Sequence, residues 1–171
     1  GYNIDVIVEE LERVLGKEDR QEIIVIGCGR IGQALMNYPE FQREGIQVIA
    51  GFDNDPEVVN PSAPIPILAL NEMPEYVARR HVQVAVLAVP DTAATTVFET
   101  VVDAGISGVL NFTSVDLKCS KCEGDHCEHP CVIQNVNIGL EIENLFYLVR
   151  MQETDALQLR HASEDVSSHV G

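Results

Sequence analysis

The sequence contains no tryptophan, and aromatic residues make up only 5% of it. A chain so poor in rings has no platform on which nucleobases stack, which argues against a single-stranded nucleic-acid surface. Cations are scarce too: 11 Lys and Arg stand against 27 Asp and Glu, a formal charge of −16. Such a surface repels phosphate backbones, so this chain by itself is a poor partner for DNA or RNA. No apolar run approaches the ~20 residues that cross a bilayer, and no secretory signal is visible, so the expected location is cytoplasmic, with no membrane partner. The five cysteines then belong to a reducing compartment, as thiols available for metal or redox chemistry. Catalytic constellations are missing as well. No Ser–His–Asp set or proton-transfer pair emerges, so a regulatory domain is expected and not an enzyme. Gly1 at the start suggests a processed or excised fragment.

What is present is enough apolar content, 46% of 171 residues, for one domain with a full core. Residues 4–15 carry apolar positions at helical spacing, an amphipathic helix ahead of the first strand. Strand and helix then alternate. Strands are expected at 23–26, 46–52, 82–89, 109–112 and 132–136, with a short edge strand or loop at 65–68. Helices are expected at 31–37, 71–80 and 93–104, the last capped by Asp91 or Thr92. This pattern predicts an α/β fold, a Rossmann-like doubly wound parallel sheet covered by helices. In such sheets ligands sit beyond the carboxyl ends of the strands.

The first strand runs into Gly27-Cys28-Gly29-Arg30-Ile31-Gly32, a G-x-G-x-x-G turn that opens a helix. In this context Gly27 allows the tight turn, Gly29 lets the backbone approach a pyrophosphate, and Gly32 lets the helix lie close on the strand. The helix N-terminus offers its free N–H groups to the phosphates. The second strand ends in Asp53, 21 residues after Gly32, where a carboxylate can hold an adenosine ribose hydroxyl. Asp55 is a second acid in the same loop but precedes Pro56, a better place to begin a short helix. Cys28 is either a thiol activated by the helix terminus or simply a small side chain in the turn.

Cys119, Cys122, Cys127 and Cys131 form C-x2-C-x4-C-x3-C, with His126 and His129 between them. Four thiols this close can surround one metal centre, and tetrahedral sulfur suits zinc or an iron–sulfur cluster alike; reversible disulfides are a third possibility. The histidines are read as loop residues, not ligands. Beyond the last strand, residues 140–159 form a long helix that is apolar nearly all round at 145–149. Such a helix needs burial beyond one face, and a partner subunit would provide it. The expected organisation is a dinucleotide-binding domain at 1–138 with the cysteine loop 119–131 inserted, a dimerisation helix at 139–160, and a flexible tail at 161–171.

Several segments taken together resemble the redox-sensing transcriptional repressor Rex family. They are Gly1-Tyr2-Asn3-Ile4, the glycine turn, Asn37-Tyr38-Pro39, Gly51-Phe52-Asp53, Val89-Pro90, Ala104-Gly105-Ile106, Leu110-Asn111-Phe112 and Asn135-Val136-Asn137. The resemblance runs in order over residues 1–160 and covers that family's carboxyl-terminal domain. It implies a homodimer that binds NADH and NAD+, and that reaches operator DNA only through a winged-helix domain upstream of Gly1. It also implies that Gly27, Gly29 and Gly32, with Cys28, Arg30 and Ile31 between them, hold the pyrophosphate. By the same resemblance Asp53 with Asn54 serves the ribose, and Val89-Pro90 and Asn111-Phe112 the nicotinamide. Tyr38 resembles a tyrosine that couples cofactor state to subunit contacts, and the final helix one that is exchanged between protomers. The four-cysteine loop departs from the family pattern. An alternative resemblance, carried by Val89-Pro90 and Ala104-Gly105-Ile106, is to the CoA-binding domain of succinyl-CoA synthetase.

Overall fold

The computed structural model describes residues 3–14, 21–119 and 130–169. It divides into two compact units, Gly1–Val136 and Asn137–Gly171. In the first, helix α1 (Ile4–Val14) precedes strand β1 (Gln21–Ile26), and helices α2 (Arg30–Met36) and α3 (Pro39–Arg43) lead to β2 (Ile46–Asp53). Strand β3 (Ile67–Ala69) enters a 3-10 turn (Leu70–Glu72) and α4 (Met73–Arg80). Then come β4 (Val84–Leu87), α5 (Asp91–Asp103), β5 (Gly108–Asn111) and β6 (Val132–Asn135).

All six strands are parallel, in the order β3-β2-β1-β4-β5-β6. The chain winds outward from β1 in one direction, returns, and winds outward from β4 in the other. The adjacent carboxyl ends of β1 and β4 are therefore the switch point at which open parallel sheets bind ligands. This is the doubly wound sheet the alternation of elements predicted.

Helices cover both faces, so the inner strands alternate between two apolar cores. Ile24 and Ile26 of β1 pack with Phe52, Leu87 and Phe98, whereas Ile23 and Val25 point the other way to Cys28, Met36 and Val48. Phe52 and Phe98, both almost fully buried, each contribute about 1.5–3 kcal/mol of burial.

Three boundaries differ from expectation. A further helix, α3, follows the one expected at 31–37, and Pro39 starts it at a first-turn position, where its missing N–H costs nothing. The central strand is Val84–Leu87, not 82–89, although Ala88 N–H still reaches the Ile26 carbonyl at 2.8 Å. The tail expected to be frayed from residue 161 is helical instead: α6 spans Ile138–Ser168. Residues 161–168 include no Gly or Pro, and Ser163, Ser167 and Ser168 each turn their hydroxyls back onto carbonyls three residues earlier. Helix α6, the second unit, is capped by Asn137, whose Oδ1 accepts the Leu140 N–H at 3.0 Å. None of its residues is buried.

Candidate nucleotide-binding site

Beyond the ends of β1, β2 and β4 lies an open cleft of about 710 Å³. Of the residues expected there, Gly27, Gly29, Arg30, Ile31, Asp53, Asn54, Val89 and Pro90 line it. Cys28 and Gly32 are buried beneath the turn. Asp55, Val58, Leu70, Thr92, Ala93 and Val97 also line it. Leu70 carries no signal in the sequence because the edge strand before it is only three residues long, and Thr92 reads there as a helix cap. Helix α5 in fact has Pro90 as its N-cap and no side-chain cap.

The three glycines of the turn have different physical grounds. Gly27 adopts φ +90, and a Cβ there would lie 2.5 Å from the Ala88 carbonyl oxygen. Gly32 faces the turn itself, so a Cβ would overlap the Gly27 carbonyl. Both are demanded by the fold, one by conformation and one by helix–strand contact. Gly29 is not. Its φ is −72, open to any residue, and a Cβ there would meet nothing within 4 Å. Gly29 lines the cleft, and its lack of a side chain leaves the backbone there open.

Asp53 is tied to this turn. Its Oδ2 accepts the Cys28 N–H at 2.8 Å, and its Oδ1 accepts the Asp55 N–H at 2.9 Å. Each carboxylate oxygen accepts two bonds, so one acceptor site per oxygen remains for hydroxyl donors in the cleft. Gln33 completes the turn by donating its side-chain amide to the Cys28 carbonyl at 2.9 Å. Arg30 presents a guanidinium at the cleft and has no hydrogen-bond or ion-pair partner among the described residues.

Cys28 is not an activated thiol. It is fully buried, its Sγ 3.6 Å from the Phe52 carbonyl oxygen. Burial, reinforced by the Asp53 carboxylate, pushes its pKa up to about 12. The helix terminus does not prevail over desolvation here, and the small-side-chain reading is the one the structure supports.

Asn111 and Phe112 are not in the cleft. Asn111 is 1% exposed and ties the end of β5 together. Its amide donates to the Val115 carbonyl at 2.9 Å and to Asn135 Oδ1 at 3.0 Å, while its Oδ1 accepts from the Thr113 N–H and hydroxyl. Phe112 packs on the core that contains Cys28 and Met36. Asn and Phe directly after a strand look like ligand contacts in sequence, but here they fill the strand end. Tyr38 is also outside the cleft, stacked edge-to-face on Phe41 at 5.2 Å.

Of the cysteine loop, Cys119 and Cys131 are free thiols, half-buried against the core that contains Phe98. Burial and the nearby Cys119 push the Cys131 thiol up. Cys122, Cys127, His126 and His129 lie outside the described residues. Among the described residues no three His, Cys, Asp or Glu side chains gather as a metal site, and no helix is long and apolar enough to cross a membrane.

The sequence matches the family model described as CoA binding domain over residues 18–115. It is 30% identical over 165 residues to the redox-sensing transcriptional repressor Rex of Caldicellulosiruptor saccharolyticus, covering 96% of this chain and 70% of that protein. With the Brevibacillus brevis Rex it shares 33% identity over 122 residues, 71% of this chain and 59% of that one. The chain thus spans between 59% and 70% of the length of these relatives. The crystal structure of RSP in complex with β-NAD+ and operator DNA has the same fold, with a TM-score of 0.72 and 24% identity over 90% of this chain and 68% of that one. RSP in complex with β-NADH gives 0.70 over 90% of this chain and 70% of that one, again at 24% identity. The chain belongs to the CoA binding domain family and to the redox-sensing transcriptional repressor Rex family.

Proposed function

We propose that this chain is the NADH- and NAD+-sensing domain of a Rex-type repressor, a regulator and not a catalyst. One observation carries the reading: Gly29, a glycine the fold does not require, opens the cleft directly beside an Asp53 carboxylate held on the same turn. Close backbone approach at the second glycine suits a pyrophosphate, and a carboxylate with acceptor sites to spare suits a ribose diol. Arg30 adds a cation that has no competing partner among the described residues. Rex relatives along most of the chain, and solved complexes of RSP with β-NAD+, operator DNA and β-NADH, support the same assignment.

Sensing requires a difference in affinity. The nicotinamide state moves a regulatory equilibrium only if the reduced and oxidised forms bind two arrangements of the protein unequally. We place those arrangements in a cytoplasmic homodimer joined through α6, which presents Leu145, Phe146 and Leu148 to solvent. The acidic chain is unsuited to DNA, so operator contact falls to a winged-helix domain outside these 171 residues. In the cleft, Gly27 and Gly32 set the turn, Gly29 and the α2 N-terminus receive phosphate, Asp53 and Asn54 face the ribose, and Val89 and Pro90 form the opposite wall.

Isothermal titration with NADH, NAD+ and CoA tests this. NADH and NAD+ should both bind, with clearly different affinities. Binding of CoA alone would assign the cleft to a synthetase-like domain, and equal affinity for the two nicotinamide forms would leave the domain unable to sense.

A further inference from the structure

Strands β5 and β6 are parallel, so the chain that leaves β5 at Asn111 travels back along the sheet before it enters β6 at Val132. The register fixes where each end lies. Asn111 is at the carboxyl edge, opposite Asn135. Val132 is at the amino edge, opposite Gly108, with its N–H on the Ser107 carbonyl at 2.8 Å. The outgoing limb is held on its way: the Ser114 N–H donates to Asp91 Oδ1 at 3.0 Å, and Leu117 is buried.

A cysteine stands on each limb of this connection. Cys119 follows the buried Leu117 by two residues, and Cys131 directly precedes Val132. Both are free thiols, half-buried, and packed against the core cluster that contains Leu117 and Val109. The Cys131 thiol is pushed up by burial and then by the charge of Cys119, an influence that fades with distance and so puts the two sulfurs near each other. Partial exposure leaves both within reach of a small reagent, whereas Cys28 is fully buried. Neither lines the nucleotide cleft.

We propose that Cys119 and Cys131 form a reversible disulfide, made by exchange with a small-molecule disulfide, that closes and braces the β5–β6 connection at the amino edge of the sheet. One thiolate attacks a sulfur of the reagent, forming a mixed disulfide and expelling the first reagent thiolate. The other then attacks the protein sulfur of that mixed bond and expels the second. The protein pair loses two electrons, the reagent's S–S bond takes them up, and the two protons given up by the cysteines end on the two released thiols. Tying residue 119 to residue 131 restricts the unfolded chain, so the linked form is the more stable one. The bond gives the chain a thiol redox state that does not depend on what the nucleotide cleft binds.

The test uses the whole chain, treated with a chelator and exposed to oxidised or reduced glutathione. Free thiols are then alkylated, and cleavage after Lys121, Glu123 and Glu128 separates Cys119, Cys122, Cys127 and Cys131 for mass mapping. With oxidised glutathione, the fragments of Cys119 and Cys131 should be joined and short of two hydrogens, and a dithiol reductant should release them. The linked chain should unfold at higher urea than the reduced chain, and Cys131→Ala should abolish that shift while keeping the far-ultraviolet spectrum. If the variant fails to fold, the mapping and urea midpoints of the unsubstituted chain decide alone. Bonds from Cys119 or Cys131 to Cys122, to Cys127 or to a second chain would overturn the proposal. So would a lasting glutathione adduct on either residue, two thiols that stay open to alkylation, or a linked chain with the urea midpoint of the reduced one.

Discussion

The backbone N–H of Cys28 donates to Oδ2 of Asp53 at 2.8 Å, joining the end of β1 to the end of β2 at the mouth of the cleft. The acid therefore braces the turn, in addition to the ribose role proposed for it. Asp53→Asn puts an amide where two backbone donors converge, and removes the charge that strengthens each bond. NADH affinity should fall by about 1.5–3 kcal/mol, roughly 10–100-fold, as read by calorimetry. Unchanged affinity would remove Asp53 from the ribose site.

Alanine substitutions at the glycines should separate folding from binding. Gly29→Ala meets open space at a permitted φ, so unfolding free energy should stay within ~0.5 kcal/mol of the parent while NADH binding drops sharply. Gly27→Ala forces a side chain to φ +90 and against the Ala88 carbonyl, and should cost more than about 3 kcal/mol. Urea denaturation beside calorimetry distinguishes the two. A Gly29→Ala protein that binds NADH normally would refute the pyrophosphate assignment.

The parts legible in the sequence are those dictated by local pattern. The glycine turn followed by Asp53 is visible because each residue has a backbone or hydrogen-bonding role at a fixed offset. The apolar runs mark the strands because both sheet faces are covered. Asn111 is a different case. Whether an Asn at a strand end faces a ligand or brackets a loop depends on Val115 and Asn135, which reach it only after folding. Cys28 is similar: its thiol state is decided by Phe52 and Asp53, brought over by β2. The switch point itself follows from strand order, which no local window contains.

The raised Cys28 pKa sets a pH dependence. The folded thiol keeps its proton up to about 12, against 9.0 for an unburied thiol. Between those values the native state holds more protons than the unfolded one, so stability falls as pH rises. The contribution is complete below pH 9 and shrinks toward pH 12, by up to about 4 kcal/mol for a shift of this size. Comparing urea unfolding of the parent with Cys28→Ala isolates it, because other alkaline titrations are common to both. The parent should lose stability more steeply above pH 9, and native Cys28 should resist alkylation at neutral pH. Identical slopes would contradict the burial argument.

Asn111→Leu keeps the volume but strands the Val115 carbonyl and the Thr113 N–H in a buried place. Destabilisation of about 2–4 kcal/mol is expected. Because Asn111 does not line the cleft, NADH affinity of the folded fraction should move by no more than about twofold, well under 1 kcal/mol. A much larger loss of affinity, with stability unchanged, would return Asn111 to the cofactor site.

Helix α6 offers the clearest route to the quaternary state. It has 31 residues and buries none of them within the chain, although Leu145, Phe146 and Leu148 are each more than half exposed. An apolar stretch of this kind at solvent is costly unless another surface covers it, at about 25 cal/mol for each Å². Sedimentation velocity should show a dimer for the parent chain. Leu145→Glu with Phe146→Glu sets two acids beside Glu141, Glu143 and Glu153, so burial against a second copy becomes unfavourable through desolvation and like-charge repulsion. That variant should sediment as a monomer and still bind NADH, because the cleft residues all belong to the unit Gly1–Val136. A variant that stays dimeric would move the subunit contact away from α6.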